Sequence, residues 1–131
     1  MLRLMHEKEH LKIVADQVGR PTYCSDLGQA ALQLLEAEGI YHFANSNETS
    51  WHQFAKEIHR QSIELEFSSK VKTIEPIPSK DYPTKAQRPS YSTLDTKKIE
   101  ELLGSAPRSW QRALSDYLIK FKEHSKTAQR I

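Results

Sequence analysis

Cysteine and glycine are scarce in this sequence, and it has no long apolar run and no excess of one charge. Cys24 is the only cysteine. No disulfide can form within the chain, and a reducing compartment is expected. Gly19, Gly28, Gly39 and Gly104 lie far apart, so these residues contain no glycine-rich dinucleotide turn. No apolar stretch approaches the ~20 residues that a membrane-crossing helix needs. Charges interrupt residues 1–7 before the apolar centre of a signal peptide could form. Lys and Arg number 19 against 17 Asp and Glu, a net charge of +2. Acids are interleaved with bases, whereas nucleic-acid binding needs a concentrated basic face. Only 120–131 is biased, with Lys120, Lys122, Lys126 and Arg130 against Glu123. That stretch reads as a solvated, fraying tail.

What remains is ordinary for a globular domain: 131 residues, 37% hydrophobic and 27% charged. A chain of this length can bury roughly two thirds of its unfolded surface. Residues 1–8 carry Leu2, Leu4 and Met5 like the end of a helix. The alternating aliphatics of 11–15 predict a strand. A loop follows over 16–22, where Gly19 is conformationally free and Pro21 holds Arg20 extended. A helix is predicted over 25–37, with Asp26 at its positive end, an apolar stripe of Leu27, Ala31, Leu34 and Leu35, and Gly39 as stop. Cys24, near its start, reads as a small filler rather than a nucleophile.

Residues 40–44 predict a buried strand and 45–47 a turn. Thr49 or Ser50 caps a helix running to about Gln61. A third strand is expected over 71–77, and an irregular stretch over 81–91, which contains Pro83 and Pro89. Asp95 caps a short helix that Gly104 ends, and Pro107 opens a last helix carrying Trp110, Leu114, Leu118 and Phe121. Trp51 and Trp110 read as packing residues. His52 and His59, seven apart, are too widely spaced for a helical metal pair. Asp16, Asp26 and Asp81 read as caps and turns.

Several stretches, in order, carry a resemblance. They are Asp16-Gln17-Val18-Gly19-Arg20-Pro21-Thr22 followed by Asp26-Leu27; Ile40-Tyr41-His42-Phe43-Ala44; Thr49-Ser50-Trp51 followed by Phe54-Ala55; Pro76-Ile77-Pro78 with Asp81-Tyr82-Pro83; Ala86-Gln87-Arg88-Pro89 followed by Ser92, Leu94-Asp95 and Lys98; and Trp110. Together they resemble the downstream part of the dTDP-4-dehydrorhamnose reductases, which are extended short-chain dehydrogenase/reductases. The resemblance runs from Met1 to about Leu118 and rests on the ordered set rather than on one motif.

The resemblance implies an α/β fold. Residues 1–131 would form one carboxyl-terminal substrate-binding lobe of a Rossmann-type extended short-chain reductase, with helices, short strands and no cofactor domain. The family reduces the 4-keto group of dTDP-6-deoxy-L-lyxo-4-hexulose to give dTDP-L-rhamnose, with hydride from NADPH or NADH. Its proton donor is a tyrosine with a lysine four residues later. Here Tyr82 and Tyr117 each have a lysine three residues on, so neither matches. No cofactor is therefore expected to bind this chain alone, and no catalytic residue is assigned.

By resemblance, the implied contacts to a dTDP-sugar are Gln17, Arg20, Pro21, Thr22 and Arg88. Arg88, held extended by Pro89, would meet the diphosphate, where a guanidinium can bind bidentately. Gln17 either bonds substrate or closes its own loop. Arg20 either binds phosphate or pyrimidine carbonyl, or is a surface arginine after a turn. The expected partners are a dTDP-sugar nucleotide and an amino-terminal cofactor domain, in this or a separate chain, with self-association through 40–44. Neither nucleic acid nor membrane is expected as a partner, and the compartment is the cytoplasm. A regulatory subunit of the methionine adenosyltransferase type, or a remnant of a truncated gene, is the alternative.

Overall fold

The structure, a computed structural model, describes every residue except 83, 85 and 129–131. Its elements are α1 (Leu2–Glu7), β1 (His10–Val14), β2 (Val18–Gly19), α2 (Cys24–Gln33), β3 (Thr49–Ser50), α3 (Trp51–Glu64), β4 (Thr73–Ile77), a 3₁₀ turn (Ser79–Asp81), α4 (Lys97–Leu103) and α5 (Trp110–Ala128). β1 and β4 pair in parallel, with Leu11 opposite Ile74 and Val14 opposite Ile77. A parallel pair needs a long crossover, and here it contains α3, which packs on both strands and on α5. β2 and β3 form a separate antiparallel pair, Val18 with Ser50 and Gly19 with Thr49.

α3 forms where its sequence predicts. The Ser50 hydroxyl accepts from the Gln53 N–H at 3.2 Å and caps the helix. Ala55 and Ile58 point inward, onto Met5, Leu11, Trp110, Leu114 and Leu118. Fully burying a large aliphatic side chain contributes about 1.5–3 kcal/mol. Trp110 and Leu118 are therefore among the residues that hold the fold, and both are buried. At the end of α4, Gly104 adopts φ 71°, the left-handed turn the sequence implies. The Asp95 carboxylate accepts from the Lys97 N–H at 3.0 Å.

Five expectations about elements are corrected. Residues 40–44 form no strand: no strand among the described residues pairs with them, the Ile40 carbonyl accepts from the Lys98 ammonium instead, and pairing begins only at the Ser46–Ser109 bridge. α2 stops at Gln33, and of its residues only Ala30 is buried. Leu27 and Leu35 of the predicted stripe are exposed, because no described element covers that face. Pro107 precedes α5 instead of opening it, and its carbonyl accepts from the Ser46 hydroxyl. The basic tail is not frayed from residue 120. α5 continues to Ala128 because Phe121 stacks on Tyr117 and meets Phe67, while Lys122 donates to the Leu65 carbonyl at 2.5 Å. Cys24 is exposed in the first turn of α2 and fills no core position. The expected positions of Pro83 and Arg130 lie outside the described residues.

Candidate functional site

The site is built where the two strand pairs meet. Beyond β1, the Asp16 carboxylate accepts from the Ser79 N–H at 2.9 Å and from the Ser79 hydroxyl at 2.6 Å. The Ser79 hydroxyl, and next the Ser79 N–H, hold the Asp16 carboxyl below the ordinary carboxylate value. Val18 is then caught on both sides. Its N–H donates to the Ser90 carbonyl, its own carbonyl accepts from the Ser92 N–H, and it pairs with Ser50. Gly19 is tight here, since a Cβ would come within 3.2 Å of the Ser92 hydroxyl. This stitching brings the loop at 16–22, the start of α3 and the segment at 88–92 to one place.

Gln17, Arg20, Pro21, Thr22 and Arg88 all line one cavity of about 480 Å³, with Trp51 beside them. The size is within the range of small-molecule sites. Gln17 donates from Nε2 to the Ser79 hydroxyl at 2.9 Å. Arg20 donates from Nη1 to the buried Thr96 hydroxyl at 3.1 Å, and Thr96 in turn donates to Glu100. The Arg20 Nε is buried without a partner among the described residues. The Thr22 hydroxyl turns back to the Arg20 carbonyl at 3.3 Å. Arg88 is exposed, and its guanidinium has no partner among the described residues.

A second, larger concavity of about 1430 Å³ runs along β1 and shares Gln17, Trp51 and Arg88 with the first. Lys8, Lys12 and Lys80 also line it. Among the described residues, neither cavity has an Asp or Glu in its wall. Carboxylates do lie close by, Asp16 bonding the wall residue Ser79 and Glu75 standing opposite Lys12, but the cations in the walls outnumber them, an arrangement suited to an anion.

Trp51 is a residue that sequence reasoning missed. It is 52% exposed and lines both cavities, so it is not the packing residue its helical spacing suggests. Its position in the first turn of α3 leaves it beyond the core that Ala55 and Ile58 reach. Lys12 and Lys80 were missed as well. Lys12 could have been suspected from its place between inward-facing neighbours on β1.

A separate apolar groove of about 500 Å³, between α3, α5 and the start of α2, has Tyr23, Phe54 and Tyr117 in its wall and offers few polar groups. His52 is used structurally, its Nε2 lying 3.1 Å from the Ile74 carbonyl. His59 is partly buried on α3, and no cluster of three or more metal-binding side chains occurs among the described residues. The connection from β2 to α2 carries Arg20, Pro21, Thr22 and Tyr23 and is not a glycine-rich turn of the dinucleotide-binding kind.

The family model for the RmlD substrate binding domain matches residues 1–123. The chain belongs to that family. A dTDP-4-dehydrorhamnose reductase of Aggregatibacter actinomycetemcomitans is 38% identical over 124 residues, covering 88% of this chain and 42% of the relative. A spore coat polysaccharide biosynthesis protein of Bacillus subtilis is 40% identical over 119 residues, covering 90% and 40%. The crystal structure of the Bacillus anthracis dTDP-4-dehydrorhamnose reductase, in complex with NADP, superposes with a TM-score of 0.80 at 32% identity, covering 91% of this chain and 41% of that one. The RmlD-type lobe described here thus spans about two fifths of the length of the relatives it matches, and the fold is that of their substrate-binding part. No helix among the described residues is long and apolar enough to cross a membrane.

Proposed function

We propose that this RmlD-type lobe binds the dTDP-sugar of a dTDP-4-dehydrorhamnose reductase and presents its 4-keto group to a cofactor held by another part of the enzyme, in the same or a separate chain. The observation that carries this reading is the pair of cavities, sharing Gln17, Trp51 and Arg88, whose walls carry Lys8, Lys12, Arg20, Lys80 and Arg88 and, among the described residues, no carboxylate. Such a wall suits a diphosphate better than a neutral sugar.

Each residue then has a role. Arg88, free to reorient, grips the diphosphate. Arg20, held by Thr96, adds fixed positive charge with its buried Nε uncommitted. Pro21 and Thr22 shape the loop, and Gln17 supplies polar contact. The hydride comes from NADPH or NADH when the cofactor-binding part is present, and the reaction belongs to the cytoplasm. These side chains bind and orient, and none of them is assigned the proton transfer.

The test is calorimetric titration of this chain with dTDP-rhamnose, alongside inorganic pyrophosphate and UDP-glucose. Saturable binding of dTDP-rhamnose, with no oxidation of NADPH by the chain alone, is the expected result. No binding at millimolar ligand, or steady NADPH oxidation dependent on the 4-keto sugar nucleotide, would overturn the reading.

A further inference from the structure

β1 and β4 end side by side, with the Ala15 N–H donating to the Ile77 carbonyl at 2.9 Å. Beyond that point the two strands lead to different walls of the site, β1 into the loop at 16–22 and β4 toward Arg88. Ser79 ties them together. Its N–H lies 3.0 and 2.9 Å from the two Asp16 carboxylate oxygens, and its hydroxyl donates to one of them at 2.6 Å. The hydroxyl proton is therefore committed to Asp16, and the oxygen can only accept from its other neighbour. That neighbour is Gln17 Nε2, at 2.9 Å.

This settles which way the Gln17 amide faces. Reversed, its carbonyl would meet the Ser79 oxygen with no proton between them, and two acceptors in contact repel. As it stands, one N–H is used on Ser79. The second N–H and the carbonyl oxygen have no partner among the described residues. A primary amide presenting one donor and one acceptor from a fixed position is complementary to a group with one of each, such as the imide edge of a pyrimidine or a sugar hydroxyl pair. Side chains with a single locked orientation bind without losing rotamer freedom at that moment.

We propose that Ser79, oriented by Asp16, is a positioning residue that locks the Gln17 amide for recognition of a neutral polar group of the sugar nucleotide. This rests on the dTDP-sugar reading of the cavity. Ser79 itself touches Gln17 rather than the ligand's reacting atoms.

The test has two arms. In the ligand-free chain, the side-chain amide resonances of Gln17 are followed in Ser79→Ala, Ser79→Thr and Asp16→Asn. In the second arm, dTDP-rhamnose affinity is measured for Ser79→Ala, Gln17→Ala and the double variant. In Ser79→Ala the Gln17 resonances are expected to shift and exchange faster while backbone resonances of α3 and α5 stay in place. Ser79→Thr, which keeps the hydroxyl, restores them. Affinity falls about tenfold in Ser79→Ala, about the effect of one hydrogen bond, and the double variant is no weaker than Gln17→Ala. Additive losses, or parental affinity in Ser79→Ala, overturn the proposal. If the parent chain does not bind dTDP-rhamnose, the sugar-nucleotide reading fails by itself, and the positioning role for that ligand falls with it. Unchanged Gln17 resonances in Ser79→Ala would instead show that the lock does not exist.

Discussion

Arg108 closes on Asp26 with two parallel hydrogen bonds, Nε to Oδ2 and Nη2 to Oδ1, both 2.8 Å. Its remaining nitrogen reaches Asp116 on α5. Asn45, fully buried, donates to Asp26 at 2.7 Å and accepts from the Tyr23 N–H at 2.8 Å. The cluster joins the first turn of α2, the segment at 45 and the start of α5. Asp26 thus does more than complement a helix dipole. Burial pushes its carboxyl up, but the Arg108 and Asn45 hydrogen bonds outweigh that and hold it below the ordinary value. Arg108 is pushed further up and stays charged.

Because Asp26 has a depressed folded value, its contribution is complete above the unfolded aspartate value, about 3.9. It is lost as pH falls through the lower folded value. Arg108→Ala is expected to cost about 1.5–3 kcal/mol at neutral pH. The cost should shrink as pH falls below about 4, where Asp26 gains its proton first in the variant and, at the lower folded value, in the parent. Urea denaturation at pH 7 and pH 3 is the check, and an unchanged difference would mean that Asp26 keeps its charge or that Arg108 acts by packing.

Among the described residues, Arg88 is the cationic residue that both cavities share, and it is exposed. Arg88→Ala is expected to weaken dTDP-rhamnose binding by about 1.5–3 kcal/mol. Arg88→Lys recovers only part, since an ammonium cannot bind the diphosphate bidentately. Both variants should melt with the parent, because Arg88 has no partner to lose among the described residues. Parental affinity in both would remove Arg88 from the site.

The two tryptophans separate binding from folding. Trp110 is 5% exposed, in edge contact with Phe54, whereas Trp51 is 52% exposed. Trp110→Ala should cost about 3–5 kcal/mol of stability. Trp51→Ala should change stability by about 0.5 kcal/mol or less and yet weaken sugar-nucleotide binding. Ligand should also quench the fluorescence of Trp110→Phe, which retains only Trp51. Equal destabilisation by the two alanine variants would restore the packing reading of Trp51.

Leu32, Leu35 and Ile40 are 68%, 79% and 79% exposed, and residues 40–44 have no strand partner among the described residues. Exposed apolar patches of this kind mark interaction surfaces, and unpaired extended backbone invites pairing. Sedimentation velocity at rising concentration is expected to show self-association, which Leu35→Glu combined with Ile40→Lys should reduce. A monomer at every concentration, with slow amide exchange over 40–44, would contradict this.

The local sequence determined the Ser50 cap, the Gly104 stop, the inward face of α3 and the aliphatic strands, because each depends on neighbours a few residues away. The ordered motifs were also enough to indicate the family. Periodicity, however, reports only that a face is apolar, not whether anything in the chain covers it. That is why most of the stripe of α2, and Ile40 at the head of the segment at 40–44, read as buried and are not. Only the tertiary structure decided contacts between distant residues. Asp16 and Ser79 are 63 apart in sequence, and Asp26 and Arg108 are 82 apart. Such polar pairs leave no periodic signal, since either residue alone is an ordinary loop or cap residue. The clearing of carboxylates from the two cavities is likewise a property of surfaces that exist only once β1, the loop at 16–22 and the segment around Arg88 are folded together.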